Sequence, residues 1–438
     1  MQRSARTHDT KGRRLITRLA LKNWKSFDEA ELHIDPLTVL IGTNAGGKSN
    51  ALDALEFLNR SATGKNLTDC LSGDANIEPL RGGTEWAVRD QEEVFRIGVS
   101  VSPDENTEYS YQIEVYVKDA RCEIFSEELV RKKYRFTKNG ESKVAGEINL
   151  FRTDQPNPDD PIVKTRLYNK KGGALRQLSR ASSALSQLAA QSTRQEIAEA
   201  IDVVGNALRG IFILDPIPSH MRHYSPLSDQ LDPDAGNIAG VIAALPGERK
   251  KVVEETFSIY LSRLPERDIQ RVYSEKIGRF QSDAMLYCEE AWLKNVQPMV
   301  VDARGMSDGT LRFLAILTAL LTRPSQSLLV IEEVDNGLHP SRAYLLLDML
   351  SKIGADRGVD IVVTTHNPAL LDAMGPSAIP FITVAHRDTK TGCSRLTLLE
   401  NIDNLARVLG HGPLGTLSTR GVLERALKGQ QLAFEFEK

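Results

Sequence analysis

The sequence predicts an α/β fold in which a buried sheet is joined by an antiparallel β flank and an inserted helical region. The first observation is residues 37–58, LTVLIGTNAGGKSNALDALEFL, where an apolar run leads through a glycine-rich turn into a helical pattern. The second is a pair of β-branched runs, residues 327–333 and 360–366, which end in polar residues as central parallel strands do. The third is a series of alternating segments in residues 94–130, typical of a meander.

The other elements follow from hydrophobic periodicity. Residues 15–22 and 29–34 alternate apolar and polar positions, which predicts two half-buried strands before the glycine-rich turn. Residues 138–173 are rich in Asn, Asp, Pro, Lys and Gly, and we expect irregular structure there. Residues 182–265 have spacings near 3.6, which predicts helices and no long coiled coil. Further strands are expected in residues 269–275, 280–288, 378–386 and 394–399, and short helices in residues 401–438.

Composition excludes several classes of protein. The chain has 438 residues, 41% of them hydrophobic and 26% charged, as in an ordinary globular protein with a sizeable core. A net charge of −3 argues against a uniformly basic nucleic-acid binder. The four cysteines are scattered, which favours reduced thiols over a zinc site or a disulfide framework. No apolar run is long enough for a membrane span, and residues 1–14 lack the apolar core of a signal peptide, so we expect a disordered leader and a cytoplasmic protein.

The glycine-rich turn has the composition of a phosphate-binding loop. Gly42, Gly47, Lys48 and Ser49 fill the pattern G-x-x-x-x-G-K-[ST] without a mismatch. Glycines let successive backbone N–H groups curl around a phosphate, and the following helix adds its positive N-terminus. The lysine then reaches the terminal phosphates and the serine hydroxyl coordinates Mg²⁺. This stretch therefore predicts binding of a nucleoside triphosphate.

Three further groups could complete such a site. Glu332 and Glu333 follow a buried strand, and a nucleotide hydrolase needs one carboxylate for Mg²⁺ and another for the attacking water. Because neighbours in a strand point to opposite sides, the two could take different tasks. Ser307 resembles a helix N-cap, which offers a hydroxyl and free N–H groups to a phosphate. His366 ends a strand, from where it could reach a γ-phosphate.

Taken in order, these motifs resemble a known family. The segments NWKSF, IGTNAGGKSN, RGG, MSDGTLRFLAIL, LLVIEEVDNGLHP and VVTTHNP look like the ABC-type ATPases of the RecF, SMC and OLD group. The chain is most similar to the short AAA-family ATPases of that group, which lack long coiled coils. The resemblance implies an ABC-ATPase head, which is a P-loop NTPase fold, with ATP and Mg²⁺ as cofactors. It covers residues 15–100 and 298–410.

The resemblance also implies a division of the chain. The N-terminal part of the ATPase head is expected in residues 15–137 and the C-terminal part in residues 297–410. Between them lies an irregular and helical insertion, residues 138–296, and residues 411–438 form a tail.

Residue roles are carried over position by position. Lys48 and Ser49 would contact phosphates and Mg²⁺, Glu332 would be the Walker B acid, Glu333 the catalytic base and His366 the switch histidine. Asp335 to Leu338 would be the D-loop. Nucleotide contacts are then expected from the Walker A loop, from the signature motif of a second subunit and from a phosphate-side arginine: Gly42, Thr43, Asn44, Ala45, Gly46, Gly47, Lys48, Ser49 and Asn50; Ser307, Asp308, Gly309 and Thr310; and Arg81.

Several residues depart from the family pattern. Glu332 replaces the more usual Asp, Val334 stands where Pro is frequent, and the sequence MSDGT is a loose version of the signature motif. Gln112 is one candidate for the Q-loop glutamine. These differences bear on the rate of hydrolysis more than on ATP binding.

The sequence leaves three functions open. The first is an ATPase that closes as a homodimer or higher oligomer over ATP and acts as a switch in DNA repair or anti-phage defence, with a separate effector protein. The second is a nucleotide-gated scaffold with little or no hydrolysis. The third is a DNA-binding protein, supported by the basic segments at residues 131–138 and 247–251. No spaced acidic cluster follows His366, so a nuclease domain is not expected in this chain.

Overall fold

The buried strand Leu37–Ile41 leads directly into the helix Lys48–Ala62, as the glycine-rich stretch predicts. The structure, a computed structural model, describes residues 15–427 apart from residues 91, 138–141, 158, 170–172, 265–268, 292–297 and 404. The expected leader, residues 1–14, and residues 428–438 of the tail lie outside the described residues.

The strands are numbered in chain order. They are β1 Ile16–Trp24, β2 Phe27–His33, β3 Leu37–Ile41, β4 Val94–Asp104, β5 Thr107–Lys118, β6 Arg121–Phe136, β7 Ser142–Thr153, β8 Ile162–Leu167, β9 Ala174–Ser179, β10 Ile211–Leu214, β11 Ser225–Pro226, β12 Ile269–Ile277, β13 Asp283–Glu290, β14 Met299–Asp302, β15 Leu328–Ile331, β16 Asp360–Thr364, β17 Ile382–Arg387 and β18 Ser394–Leu398.

The helices are numbered in the same way. They are α1 Lys48–Ala62, α2 Leu67–Ser72, α3 Ala184–Ala189, α4 Gln195–Arg209, α5 Pro218–Met221, α6 Ile238–Ala244, α7 Gly247–Leu261, α8 Asp308–Thr322, α9 Ala343–Arg357, α10 Pro368–Met374, α11 Leu405–Leu409, α12 Leu414–Thr419 and α13 Val422–Leu427. Short 3₁₀ helices cover Pro340–Arg342, Pro376–Phe381 and Leu399–Asn401. The longest helices of the described chain have 15 residues, which agrees with the expected lack of a long coiled coil.

The chain folds into two compact units. The first contains the described residues of Met1–Phe212, Gln326–Leu328 and Thr383–Thr397. Its sheet runs in the order β3-β17-β18-β2-β1-β4-β5-β6-β7-β8-β9. Strands β18 and β2 are parallel, whereas every pair from β2 through β1 and β4 to β9 is antiparallel. The antiparallel flank predicted from alternation is therefore confirmed.

An aromatic cluster packs α1 against the sheet of the first unit. The Trp24 and Phe95 rings meet edge-on with centroids 4.8 Å apart, and Phe57 of α1 lies 5.4 Å from Phe95. All three side chains are fully buried. Aromatic pairs in this geometry stabilise a core by about 0.5–1.5 kcal/mol beyond their buried area. The cluster thus fixes the helix that follows the phosphate loop.

The second unit contains Ile213–Ser325, Leu329–Ile382 and the described part of Leu398–Lys438. Strands β15 and β16 are neighbours there, and α9 connects them. A separate small sheet has β13 at its centre, with β12 on one side and with β11 and β14 also paired to β13. The helices predicted in residues 182–265 and the strands near 269 and 283 are confirmed.

Three sequence predictions were wrong. Residues 138–173 were expected to be irregular, but β7 and β8 lie there and extend the meander, because an antiparallel strand can carry polar side chains at its exposed positions. Residues 378–381 are 3₁₀ rather than strand, so the late strand begins at Ile382. The strand before the acidic pair ends at Ile331, which places both glutamates in a turn rather than on opposite strand faces. The expected insertion boundaries stay a prediction.

Candidate nucleotide-binding site

The phosphate loop is built from backbone conformations that favour glycine. Gly42 has φ 139° and Gly47 has φ 107°, and Ala45 between them also lies in the left-handed region at φ 65°. A side chain at Gly42 or Gly47 would be strained, because L-residues avoid this region. The loop is closed by a hydrogen bond from Gly46 N to the Thr43 carbonyl, 3.1 Å long.

The same glycines allow a close approach of β17. A Cβ on Gly42 would lie 2.0 Å from the Ala385 carbonyl oxygen, and one on Gly46 would lie 2.6 Å from it. At Gly47, a Cβ would come within 2.9 Å of the Phe27 ring. The loop can therefore keep this conformation only with glycine at these positions. Such a loop can wrap its backbone N–H groups around a phosphate chain.

Lys48 lies over the loop that precedes it. Its ammonium donates to the Gly42 carbonyl at 2.7 Å and to the Thr43 carbonyl at 3.2 Å. Arg387 of β17 donates from Nε to the Ala45 carbonyl at 2.9 Å, which the sequence did not suggest because the two positions are 342 residues apart. Two cations thus lie on the phosphate loop, an arrangement that favours an anionic ligand.

The turn between β1 and β2 holds the start of α1. Trp24 donates from Nε1 to the Asn50 carbonyl at 2.7 Å, and the Asn50 amide donates to the Ser26 hydroxyl at 2.7 Å. Lys25 binds Asp53 of the same helix, and Arg81 binds the other oxygen of that carboxylate. Of these residues the sequence singled out Asn50 and Arg81; the motif NWKSF was the signal for the others.

The turn formed by residues 307–310, here called the signature turn, lies in the second unit and has the expected N-cap. Ser307 accepts a hydrogen bond from Thr310 N at 3.1 Å, and its hydroxyl also pairs with the Thr310 hydroxyl at 2.8 Å. Arg222, which follows α5, donates to Asp308 at 2.6 Å and to the Met306 carbonyl at 2.9 Å. The predicted N-cap is confirmed. Arg222 connects the signature turn to the end of α5.

The signature turn packs directly on the D-loop of the same unit. A Cβ on Gly309 would lie 2.6 Å from the Gly337 carbonyl oxygen and 3.1 Å from the Arg342 guanidinium. Asp335 in the D-loop accepts from the Thr365 hydroxyl at 2.5 Å, which connects the D-loop to the segment after β16. These contacts join residues from different motifs, so no local sequence pattern predicts them.

The acidic pair and the histidine also lie in the second unit. Glu333 has φ 47° and is exposed, while Glu332 is half-buried. The Glu333 amide donates to the Thr364 hydroxyl at 2.8 Å, which holds the turn against the end of β16. His366 Nδ1 lies 4.0 Å from Glu333 Oε1. The structure therefore brings a carboxylate and an imidazole together, whereas their roles stay a prediction.

Other predicted features have simple structural positions. Gln112 lies within β5, opposite Gly98 of β4 and Glu128 of β6. All four cysteines are buried, and burial raises the pKa of the Cys70 and Cys122 thiols to about 12. Among the described residues, no group of three His, Cys, Asp or Glu side chains could hold a metal ion by itself. No helix in the described part of the chain is long and apolar enough to cross a membrane.

Three of the solved structures that are similar to this chain are SMC heads. An Smc head bound to the C-terminal winged-helix domain of ScpA is 15% identical, with a TM-score of 0.48, covering 87% of this chain and 97% of that one. A Pyrococcus furiosus Smc head with an extended coiled coil is 12% identical, with a TM-score of 0.48, covering 91% and 99%. The Thermotoga maritima SMC head is 14% identical, with a TM-score of 0.37, covering 88% and 98%. No curated protein sequence matches the chain significantly.

A family match covers most of the chain and agrees with the motifs. Residues 37–372 match the family described as "AAA domain, putative AbiEii toxin, Type IV TA system". The matched region runs from the strand before the phosphate loop to α10, and it includes the signature turn, the acidic pair and His366. The chain therefore belongs to this AAA family.

Proposed function

We propose that this chain binds ATP with Mg²⁺, hydrolyses it slowly and uses the cycle as a conformational switch. The observation that carries the proposal is the loop that contains Gly42, Gly46 and Gly47. A Cβ at any of these positions would clash with a neighbouring residue, and Lys48 lies over the loop. Lys48 would bind the terminal phosphates, and Ser49 and Glu332 would hold Mg²⁺, which neutralises phosphate charge.

Hydrolysis requires groups that activate water and sense the γ-phosphate. Glu333 would accept the proton of the attacking water, and His366, which lies beside it, would contact the γ-phosphate. Glu333 has a left-handed backbone conformation, with φ 47°. The same backbone costs about 1 kcal/mol or more, and such strain is common at functional sites.

The signature turn supports a homodimer closed over ATP. Ser307 and Thr310 present hydroxyls at the N-terminus of a 15-residue helix, where the helix dipole favours an anion. In the family the corresponding turn contacts nucleotide held by a second subunit. Two copies that each contribute a phosphate loop and a signature turn would form two composite sites related by two-fold symmetry.

The biological role we propose is anti-phage defence or DNA repair, exerted through a separate effector protein. The description of the family as a toxin of a type IV toxin–antitoxin system favours defence. A switch of this kind changes the affinity for its effector between nucleotide states, so the effector should bind one state selectively.

A second candidate is a nucleotide-gated DNA-binding scaffold with little hydrolysis. Its support is the distal half of β6, where Lys133 and Arg135 are exposed and, with Arg131, line a cavity of about 240 Å³. DNA affinity that falls steeply with salt would support it, and lack of binding at low salt would remove it.

Binding of ATP to the purified chain tests the proposal. Titration calorimetry with Mg²⁺ and ATP should give saturable binding that Lys48→Ala weakens at least about tenfold, because a charge-assisted contact is lost. Lys22→Ala, which removes an exposed lysine of β1, is the matched control and should bind like the wild type. Equal binding by the Lys48→Ala variant would contradict the assigned site.

A further inference from the structure

One arginine bridges the two residues on either side of Ser307. Arg222, which follows α5, donates from Nη2 to the Met306 carbonyl at 2.9 Å and to Asp308 Oδ1 at 2.6 Å. The Arg222 side chain is 26% exposed, whereas that of Asp308 is 66% exposed. A single guanidinium thus holds both the backbone before the signature serine and the side chain after it.

The segment that carries Arg222 is anchored at both of its ends. Before the arginine, the Ile217 N–H donates to the Asp234 carbonyl at 2.9 Å. After it, the Ser225 hydroxyl accepts from the Gly240 N–H at 2.9 Å, and this contact is buried. Neither contact involves the signature turn. The backbone that presents the arginine is therefore held in place without the ion pair.

Asp308 places a negative charge in a turn that is proposed to receive an anion. It directly follows Ser307 and lies in the first turn of α8, where the positive end of the helix favours a carboxylate. In the proposed dimer, the hydroxyls of the same turn would receive a phosphate of the nucleotide held by a second subunit. Because like charges repel, an unpaired carboxylate at this position would oppose that phosphate.

We propose that Arg222 is a positioning residue that neutralises Asp308 and thereby allows the signature turn to receive a phosphate. The ion pair has no net charge, and the bond to the Met306 carbonyl fixes the backbone immediately before the serine. This inference rests on the proposed homodimer closed over ATP. It gives the segment after α5 a function in the nucleotide cycle, although that segment contains none of the recognised motifs.

Loss of the arginine should leave the protein folded. Exposed ion pairs contribute little to stability, and most of the Asp308 side chain is exposed. The N-cap of α8 is formed by Ser307 and Thr310 and does not require the guanidinium. A variant without Arg222 should therefore keep nearly the same Tm, and a change in its dimerisation would arise from the carboxylate that remains.

The test measures, by sedimentation, the dissociation constant of the dimer formed with a non-hydrolysable ATP analogue and Mg²⁺. Arg222→Ala should raise this constant about tenfold or more, because each composite site then brings a phosphate to an uncompensated carboxylate. Arg222→Lys keeps the positive charge and should recover part of the loss. Arg166→Ala, which removes an exposed arginine 2.8 Å from Asp154, is the matched control and should dimerise like the wild type.

A second substitution separates neutralisation of charge from a packing role. Asp308→Asn in the Arg222→Ala background removes the uncompensated charge and keeps the size of the side chain. The double variant should therefore dimerise within about threefold of the wild type, which is a coupling that independent sites would not show. Added salt should also narrow the difference between Arg222→Ala and the wild type, because ions screen exposed charges.

Two results would overturn the inference. One is a wild-type dissociation constant in Arg222→Ala; the other is a weakened dimer that Asp308→Asn does not restore in the folded double variant. Failure of the proposed function looks different, because the wild type itself would then form no dimer with the analogue.

Discussion

His366 Nδ1 lies 4.0 Å from Glu333 Oε1, although the two residues follow different strands. The turn after β15 is fixed by the bond from the Glu333 amide to the Thr364 hydroxyl, so both side chains come to the same edge. In the proposed site the carboxylate would accept a proton from the attacking water, and the imidazole would lie near the γ-phosphate.

Glu333→Gln should abolish most steady-state phosphate release while ATP still binds. Loss of a general base lowers turnover by about 10²–10⁴-fold, whereas the amide keeps the size and the hydrogen bonds of the side chain. Phosphate release and ATP affinity are measured on the same preparation. Glu248→Gln, an exposed position in the first turn of α7, is the control and should hydrolyse ATP like the wild type. Unchanged phosphate release in Glu333→Gln would remove the role assigned to this residue.

Gly309→Ala should disturb the contact between the signature turn and the D-loop. The new Cβ would lie 2.6 Å from the Gly337 carbonyl oxygen, so one of the two backbones must move. Overpacking of this kind costs about 1–3 kcal/mol in the free energy of unfolding. Denaturant unfolding measures the loss, and ATPase activity should fall with it.

The control for that change is Gly247→Ala in the first turn of α7. A Cβ there meets no atom within 4 Å, and the glycine does not have a positive φ. The substitution should therefore be neutral or stabilise the protein by up to about 1 kcal/mol. Equal stability of the two variants would show that the predicted clash is relieved without cost.

Glu127 should make the stability of the first unit depend on pH. Its fully buried carboxyl accepts from Ala184 N at 2.6 Å, Leu185 N at 2.7 Å and the Tyr111 hydroxyl at 3.0 Å. Burial raises the pKa of Glu127 from 4.5 to about 7. Since the folded-state pKa lies above the unfolded one, the folded state binds the proton more tightly. This stability is present below pH 4.5 and is lost as the pH rises to about 7, by about 3 kcal/mol.

The measurement compares unfolding of the wild type and Glu127→Gln between pH 4.5 and 8. The variant should lack the component that falls with rising pH, and it should lose about 1 kcal/mol because one backbone N–H loses its acceptor. Other titrating groups are common to both proteins, so the difference isolates Glu127. Parallel pH profiles would contradict the raised pKa.

The parts of the fold that could be predicted are those encoded locally. The run Leu37–Ile41, the glycines after it and the apolar spacing of α1 lie next to one another, so the strand, turn and helix were predicted together. Ser307 was recognised as a cap because its partner, Thr310, is three residues away. Local patterns are sufficient in both cases.

The rest depends on contacts between distant positions or on context. Arg387 donates to the Ala45 carbonyl although the two residues are 342 positions apart, and no sequence pattern around either residue predicts this hydrogen bond. Gly309 needs to be glycine because of Gly337, which lies in a different motif. Residues 142–153 form a strand despite their polar composition, because they pair antiparallel with the long strand β6.

The central claim, that two copies complete each other's ATP site, is tested by mixing two inactive variants. Lys48→Ala keeps the signature turn, and Ser307→Arg keeps the phosphate loop, so each should be inactive alone. If the subunits combine at random, half of the dimers contain one intact composite site, and up to about a quarter of wild-type phosphate release should return. The account predicts that recovery. A mixture no more active than its separate components, with both variants folded and dimers formed, would contradict it.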